Sequence, residues 1–149
     1  MPHQPDLSAF KDLAAQHSQV PVYRCMISDG LTPVSAFRKV DDGKTCCLFE
    51  SVVGGEKVGR YSFIAIQPFA QLSASGSNVT IQRSGQWLET ESQNPFDRLR
   101  EELRSIEVAQ LPGMPPFVGG AVGYAGYDTV RYVENLPSPP EDDRGLPDL

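Results

Sequence analysis

Apolar positions recur first at helical spacing and then at strand spacing along this chain. Leu7, Phe10, Leu13 and Ala14 fall on one helix face, with Asp6 placed to cap it. Residues 20–26 read as a strand, with Pro21 near its start, where a missing N–H is tolerated. Ser28-Asp29-Gly30 signals a turn. Thr32-Pro33 then gives an N-cap followed by proline at the first helical position. Val34, Phe37 and Val40 supply that short helix with an apolar face, and Asp41-Asp42-Gly43 ends it.

Strand spacing follows over 45–53, 60–66, 70–74 and 79–83. The last two are joined by Ser75-Gly76-Ser77-Asn78 and alternate apolar with polar residues, as an exposed hairpin does. Trp87-Leu88 extends the sheet. Asn94-Pro95-Phe96-Asp97 starts a helix with an asparagine cap, a proline at the first position and an acid in the first turn. Phe96, Leu99, Leu103 and Ile106 mark its predicted buried face, and Arg98 can pair with Glu102 across one turn. Residues 111–116 form a stiff connector, 117–124 read as a glycine-containing strand and 127–134 as a helix. Mixed helices and hairpins give an α+β class with antiparallel sheet and flanking helices. From 137 the composition turns to proline and acid, which regular structure accommodates poorly. Residues 1–136 are therefore expected to form one domain and 137–149 a linker.

Composition narrows the class. The chain has 149 residues, 40% of them hydrophobic and 21% charged, enough for a globular core. A net charge of −6 argues against a nucleic-acid partner, because phosphate binding needs a basic face. Its uncharged stretches are broken by Gly, Pro and Ser, so no membrane span and no membrane partner is expected. The start, MPHQPD, has neither the basic nor the apolar region of a signal peptide. Three cysteines, Cys25, Cys46 and Cys47, make a poor disulfide framework and suggest reduced thiols in a cytoplasmic protein. With two histidines and no C-x-x-C, no metal site is expected. Asn78-Val79-Thr80 matches the glycosylation sequon, but in a hairpin of a cytoplasmic protein this is a coincidence.

The richest chemistry lies around 46–63. In a strand over 45–53, Cys47, Phe49 and Ser51 share one face, and Leu48 and Glu50 the other. A glutamate ending an apolar strand needs a partner if buried. Arg60, with Lys57 beside it, lies across a glycine-rich turn. Two readings follow. The plain one is a Glu50–Arg60 ion pair that stabilises a hairpin. The other is a site for a small amino acid: arginine suits the carboxylate, glutamate the ammonium, and an indole needs an apolar slot and one acceptor. Glu50, Ser51, Arg60 and Tyr61 supply these types.

The glycines of 119–126 do not follow G-x-G-x-x-G and lack a G-K-[ST] ending, so close backbone packing is favoured over phosphate binding. Tyr124, Tyr127 and Tyr132 are expected in a core or interface. No serine or cysteine stands in a motif with histidine, so no catalytic residue is assigned. The adjacent acids Asp41-Asp42 and Asp142-Asp143 read as solvated turn residues.

Several short motifs occur in a fixed order: Thr-Pro-Val at 32–34, Leu-Phe-Glu-Ser at 48–51, Gly-Arg-Tyr-Ser-Phe at 59–63 and Asn-Pro-Phe at 94–96. Gly-Gly-Ala-Val-Gly-Tyr at 119–124, Gly-Tyr-Asp at 126–128 and Val-Arg-Tyr at 130–132 follow. Together they resemble the N-terminal domain of anthranilate synthase component I, over nearly the whole chain from about Val20. The family usually has Leu-Leu-Glu-Ser where this chain has Leu48-Phe49-Glu50-Ser51, an exchange that leaves Glu50 and Ser51 in place.

The resemblance implies the N-terminal part of that family's α/β sandwich, followed by a chorismate-binding catalytic domain absent here. It implies an enzyme, a lyase, that converts chorismate and glutamine-derived ammonia to anthranilate and pyruvate in tryptophan biosynthesis. A glutamine amidotransferase (component II) is the implied partner. Mg²⁺ is implied beside chorismate in the missing domain, with no cofactor in this part. L-Tryptophan is the implied feedback inhibitor, bound where the N-terminal and catalytic domains meet. The family's pocket serine maps onto Ser51, and the pocket is extended to Glu50, Arg60 and Tyr61. By itself this portion is expected to be inactive and to expose an apolar face. Two alternatives are the N-terminal domain of aminodeoxychorismate synthase component I, in the folate pathway, and a stand-alone amino-acid-binding module.

Overall fold

A computed structural model describes residues 2–50, 61–115, 117–138, 141–142 and 144–149. Its elements run α1 (Leu7–Ala14), α2 (Pro33–Val40), β1 (Cys46–Glu50), β2 (Ser62–Ile66), β3 (Ala70–Ser75), β4 (Asn78–Arg83), β5 (Gln86–Glu91) and α3 (Pro95–Arg104). A 3₁₀ helix, Tyr127–Tyr132, follows. The class is α+β, and the described residues form one two-stranded and one three-stranded sheet. The chain divides into two compact units, one of Met1–Cys25 with Leu72–Leu149 and one of Met26–Gln71.

In the unit Met26–Gln71, α2 packs against both strands of an antiparallel β1–β2 hairpin. Its start obeys the cap chemistry read from the sequence. Thr32 Oγ1 accepts the Ser35 N–H at 3.1 Å, and Ser35 Oγ accepts the Thr32 N–H at 2.8 Å, a reciprocal capping box with Pro33 at the first turn. The turn after α2 closes on its acids: Asp41 accepts the Gly43 N–H and Asp42 the Lys44 N–H. No described residue of this unit is fully buried.

The other unit holds the core. Its sheet runs β3-β4-β5, and Ala74, Val79 and Ile81 form a buried cluster with Leu72 and Leu149 against it. The β4–β5 turn places Ser84 and Gly85 at φ 51° and 78°, the pair of positive values that a two-residue hairpin turn requires. Asp6 caps α1 by accepting the Ala9 N–H at 2.9 Å. Asn94 caps α3 by accepting the Phe96 N–H at 3.0 Å. Arg98 donates to Glu102 at 2.7 Å, as its one-turn spacing predicts, and Glu102 also accepts from Arg83 on β4 at 2.5 Å. The chain after α1 is tied to the chain after α3: Gln19 N–H donates to the Glu107 carbonyl and Ala109 N–H to the Gln19 carbonyl.

Three predicted elements differ. Residues 20–26 form no strand; Tyr23 makes an isolated bridge with Gln4 through two backbone bonds of 2.8 Å. Pro2 and Pro21, at the next hydrogen-bonding positions on either side of this bridge, lack the N–H groups that would extend a ladder. Residues 117–124 are irregular where described. Gly120 has φ 147°, and an added Cβ would come 3.2 Å from the Phe117 ring, so the close approach is that of a neighbouring side chain, not of another strand. The helix predicted over 127–134 is a 3₁₀ helix over Tyr127–Tyr132. The apolar face of α3 also departs from expectation. Phe96 and Leu99 are half-buried and Leu103 is exposed, because no described element of the chain covers that stripe fully.

Candidate functional site

The β1–β2 register fixes what the hairpin can present. Phe49 lies opposite Phe63 and Glu50 opposite Ser62. Opposed residues share a face and successive residues alternate. Glu50 and Ser62 therefore lie on one face, and Phe49 and Phe63 on the other. The Tyr61 ring lies 6.0 Å from the Phe63 ring, tilted by 32°, which sets Tyr61 on the Phe49–Phe63 face. Glu50 and Tyr61 are thus both exposed near the same end of the hairpin but on opposite faces. Phe49, Tyr61 and Phe63 make an aromatic surface suited to a flat apolar group. Ser51, Arg60 and Lys57 lie outside the described residues, and so does the Glu50–Arg60 pair.

Cys46 is the other reactive type near this hairpin. Its Sγ donates to Asp41 at 3.5 Å. Partial burial, that hydrogen bond and the negative charges of Asp41 and Asp42 push its thiol above the ordinary value. A thiol held protonated is a poor nucleophile. All three cysteines are free, and Cys25 is exposed. Among the described residues no group of three or more His, Cys, Asp or Glu side chains could hold a metal. Among the described residues no helix is long and apolar enough to cross a membrane.

A second cluster went unforeseen in the sequence. Asp148 Oδ2 accepts the Gly76 N–H at 2.8 Å and the Tyr132 hydroxyl at 2.5 Å. The Tyr132 oxygen also lies 2.9 Å from the Gly76 carbonyl, but its one proton serves the closer, charged acceptor. The Tyr132 ring meets Phe96 of α3 edge-on, with centroids 6.4 Å apart. Burial, followed by the bond to Asp148 and its charge, pushes the phenol up to about 12. Of the tyrosines expected in a core or interface, Tyr132 is half-buried, whereas Tyr127 is 94% exposed. No local signal marks Asp148, because its partners stand far away in sequence. Beside this cluster, α3 carries an open apolar groove of about 410 Å³ lined by Phe96, Leu99, Arg100, Leu103 and Arg104.

No family model matches the chain. Individual proteins do. The chain is 41% identical over 145 residues to anthranilate synthase component 1 of Acetivibrio thermocellus, covering 97% of this chain and 29% of that protein. It is 43% identical to the component 1 of Synechocystis, over 87% of this chain and 26% of that protein. It is 41% identical to anthranilate synthase alpha subunit 2, chloroplastic, of Arabidopsis thaliana, over 94% of this chain and 25% of that protein. The chain thus spans between a quarter and a third of the length of these relatives. At this identity, sustained along nearly its whole length, the chain is similar in sequence to one part of anthranilate synthase component 1 proteins.

Proposed function

We propose that this chain is the N-terminal regulatory portion of anthranilate synthase component I and contributes part of its feedback site for L-tryptophan. The observation that carries this reading is the match to the Acetivibrio thermocellus component 1: nearly all of this chain against less than a third of that protein. The full protein then forms anthranilate and pyruvate from chorismate and ammonia. A glutamine amidotransferase supplies the ammonia, and Mg²⁺ and chorismate bind in the part this chain lacks.

The hairpin residues support the ligand class. An aromatic face of Phe49, Tyr61 and Phe63 suits an indole. Ser51 is assigned to line the pocket, with Arg60 for the carboxylate and Glu50 for the ammonium. Because Glu50 and Tyr61 lie on opposite faces, a ligand that meets both must sit past the Glu50–Ser62 pair, at the end of the hairpin where the chain passes from β1 to β2. Regulation is then a coupling free energy. Tryptophan favours an arrangement that binds chorismate poorly, and chorismate disfavours tryptophan equally, with a coupling of about 1–3 kcal/mol.

The test is inhibition of the whole enzyme by tryptophan. Ser51→Phe should weaken inhibition about tenfold or more, in line with that coupling, and leave the uninhibited rate near wild type. Unchanged tryptophan sensitivity in that variant contradicts the assignment of Ser51. Consumption of chorismate without anthranilate would favour the aminodeoxychorismate relative instead.

A further inference from the structure

The sheet β3-β4-β5 has two outer strands with opposite chemistry. An outer strand offers open N–H and C=O groups to any other strand, and folded proteins blunt it with charge or with a cover. β5, QWLETE, carries Glu89 and Glu91. β3, AQLSAS, carries no charge.

The free edge of β3 is covered instead at Ala74. Asp148 N–H donates to the Ala74 carbonyl at 2.7 Å, and Ala74 N–H donates to the Leu149 carbonyl at 3.2 Å. Leu149 packs on the buried cluster of Ala74, Val79 and Ile81. On the far side of the segment, Gly126 N–H donates to the Asp148 carbonyl at 2.8 Å, and the Tyr124 hydroxyl to the Pro147 carbonyl at 2.9 Å. The segment is therefore held along both of its edges. The Asp148 carboxylate adds the two bonds that fix its register, from Gly76 in the β3–β4 turn and from Tyr132.

We infer that residues 147–149 are a strap that covers the uncharged edge of β3, and that Asp148 is the pin that holds it closed. Lifting the strap frees both backbone groups of Ala74 and uncovers the apolar cluster beneath Leu149. An uncharged open edge beside apolar surface is a template for a second copy of the same strand. Closure of the strap and resistance to self-association are then one property.

Hydrogen–deuterium exchange on the natural protein that contains this chain tests this, with Asp148→Ala and Tyr132→Phe beside wild type and sedimentation velocity at several concentrations. Asp148→Ala should speed exchange at Ala74 and Gly76 about tenfold or more, since a charge-assisted bond is lost at each end of the pin. Tyr132→Phe should do so by less. Amides shared by β4 and β5 should keep their protection, and the alanine variant should associate with rising concentration. Unchanged exchange at Ala74 and Gly76 overturns the pin. Equal loss of protection across β4 and β5 also overturns it, since Asp148 would then support the whole sheet. Local opening without association overturns the covering role.

Discussion

Single residues carry the most direct predictions of this structure. The Tyr132 phenol, pushed up to about 12 by burial and then by Asp148, keeps its proton longer in the folded chain than in the unfolded one. An unfolded tyrosine titrates near ~10, so this contribution to stability is intact below about pH 10 and is lost as pH climbs from there to about 12. Phenolate absorbance should show one late-titrating tyrosine that disappears in Tyr132→Phe; a variant whose titration matches wild type contradicts the buried bond. The cysteines give a second prediction. Exposed Cys25 should alkylate before Cys46, whose thiol is held protonated beside Asp41 and Asp42. Mass mapping of partly labelled protein decides it, and preferential labelling of Cys46 would be the opposite result. Residue-scale chemistry was legible in sequence where partners are neighbours. Arg98 and Glu102 sit one helical turn apart and do pair. Arg83, the second partner of Glu102, and Gly76, the partner of Asp148, were not legible, because only the fold brings them close.

At the scale of elements, starts were legible and partners were not. Asp6, Thr32 and Asn94 all cap the helices that their positions predict, since a cap is a local bond between a side chain and an N–H two or three residues on. Thr32→Ala removes one half of the capping box and should cost about 1 kcal/mol of stability, with Thr32→Ser close to wild type. Urea unfolding measures both, and an unshifted midpoint for the alanine variant would show that α2 does not depend on its cap. Strand spacing over 20–26 and 117–124 was misleading because alternation reports which faces a strand could have, not whether a neighbouring edge exists. Prolines at 2 and 21 remove donors in the first case, and in the second Gly120 has φ 147° with the Phe117 ring against it. The hairpin β4–β5 was half legible: Trp87-Leu88 pointed to it, while Ser84-Gly85 was the turn signal that fixes its register.

At the scale of the whole molecule, the small core is the dominant fact. The buried apolar side chains among the described residues are Ala74, Val79, Ile81, Pro95 and Ala109, while Phe49, Leu88, Leu103, Phe117 and Val133 are exposed. Apolar burial is the main favourable term in folding, so a chain of this size with so little of it gains much from a partner surface. That fits a portion spanning less than a third of its relatives. Under the proposed function, isolated chain should bind L-tryptophan only weakly, with a dissociation constant on the order of millimolar, because half the pocket lies elsewhere. Calorimetry giving micromolar affinity would contradict a shared pocket and favour a self-contained binding module. The family was legible from ordered motifs such as Leu-Phe-Glu-Ser at 48–51 and Gly-Arg-Tyr-Ser-Phe at 59–63, whereas the assembly of their side chains depends on contacts that no spacing reveals.

The most direct measurement is anthranilate fluorescence from chorismate and ammonia, catalysed by the natural protein that contains this chain, with and without L-tryptophan, for wild type and Ser51→Phe. Anthranilate should form in both proteins, and tryptophan should suppress its formation in wild type and far less in the variant. Formation of no anthranilate, or equal suppression in both proteins, would contradict it.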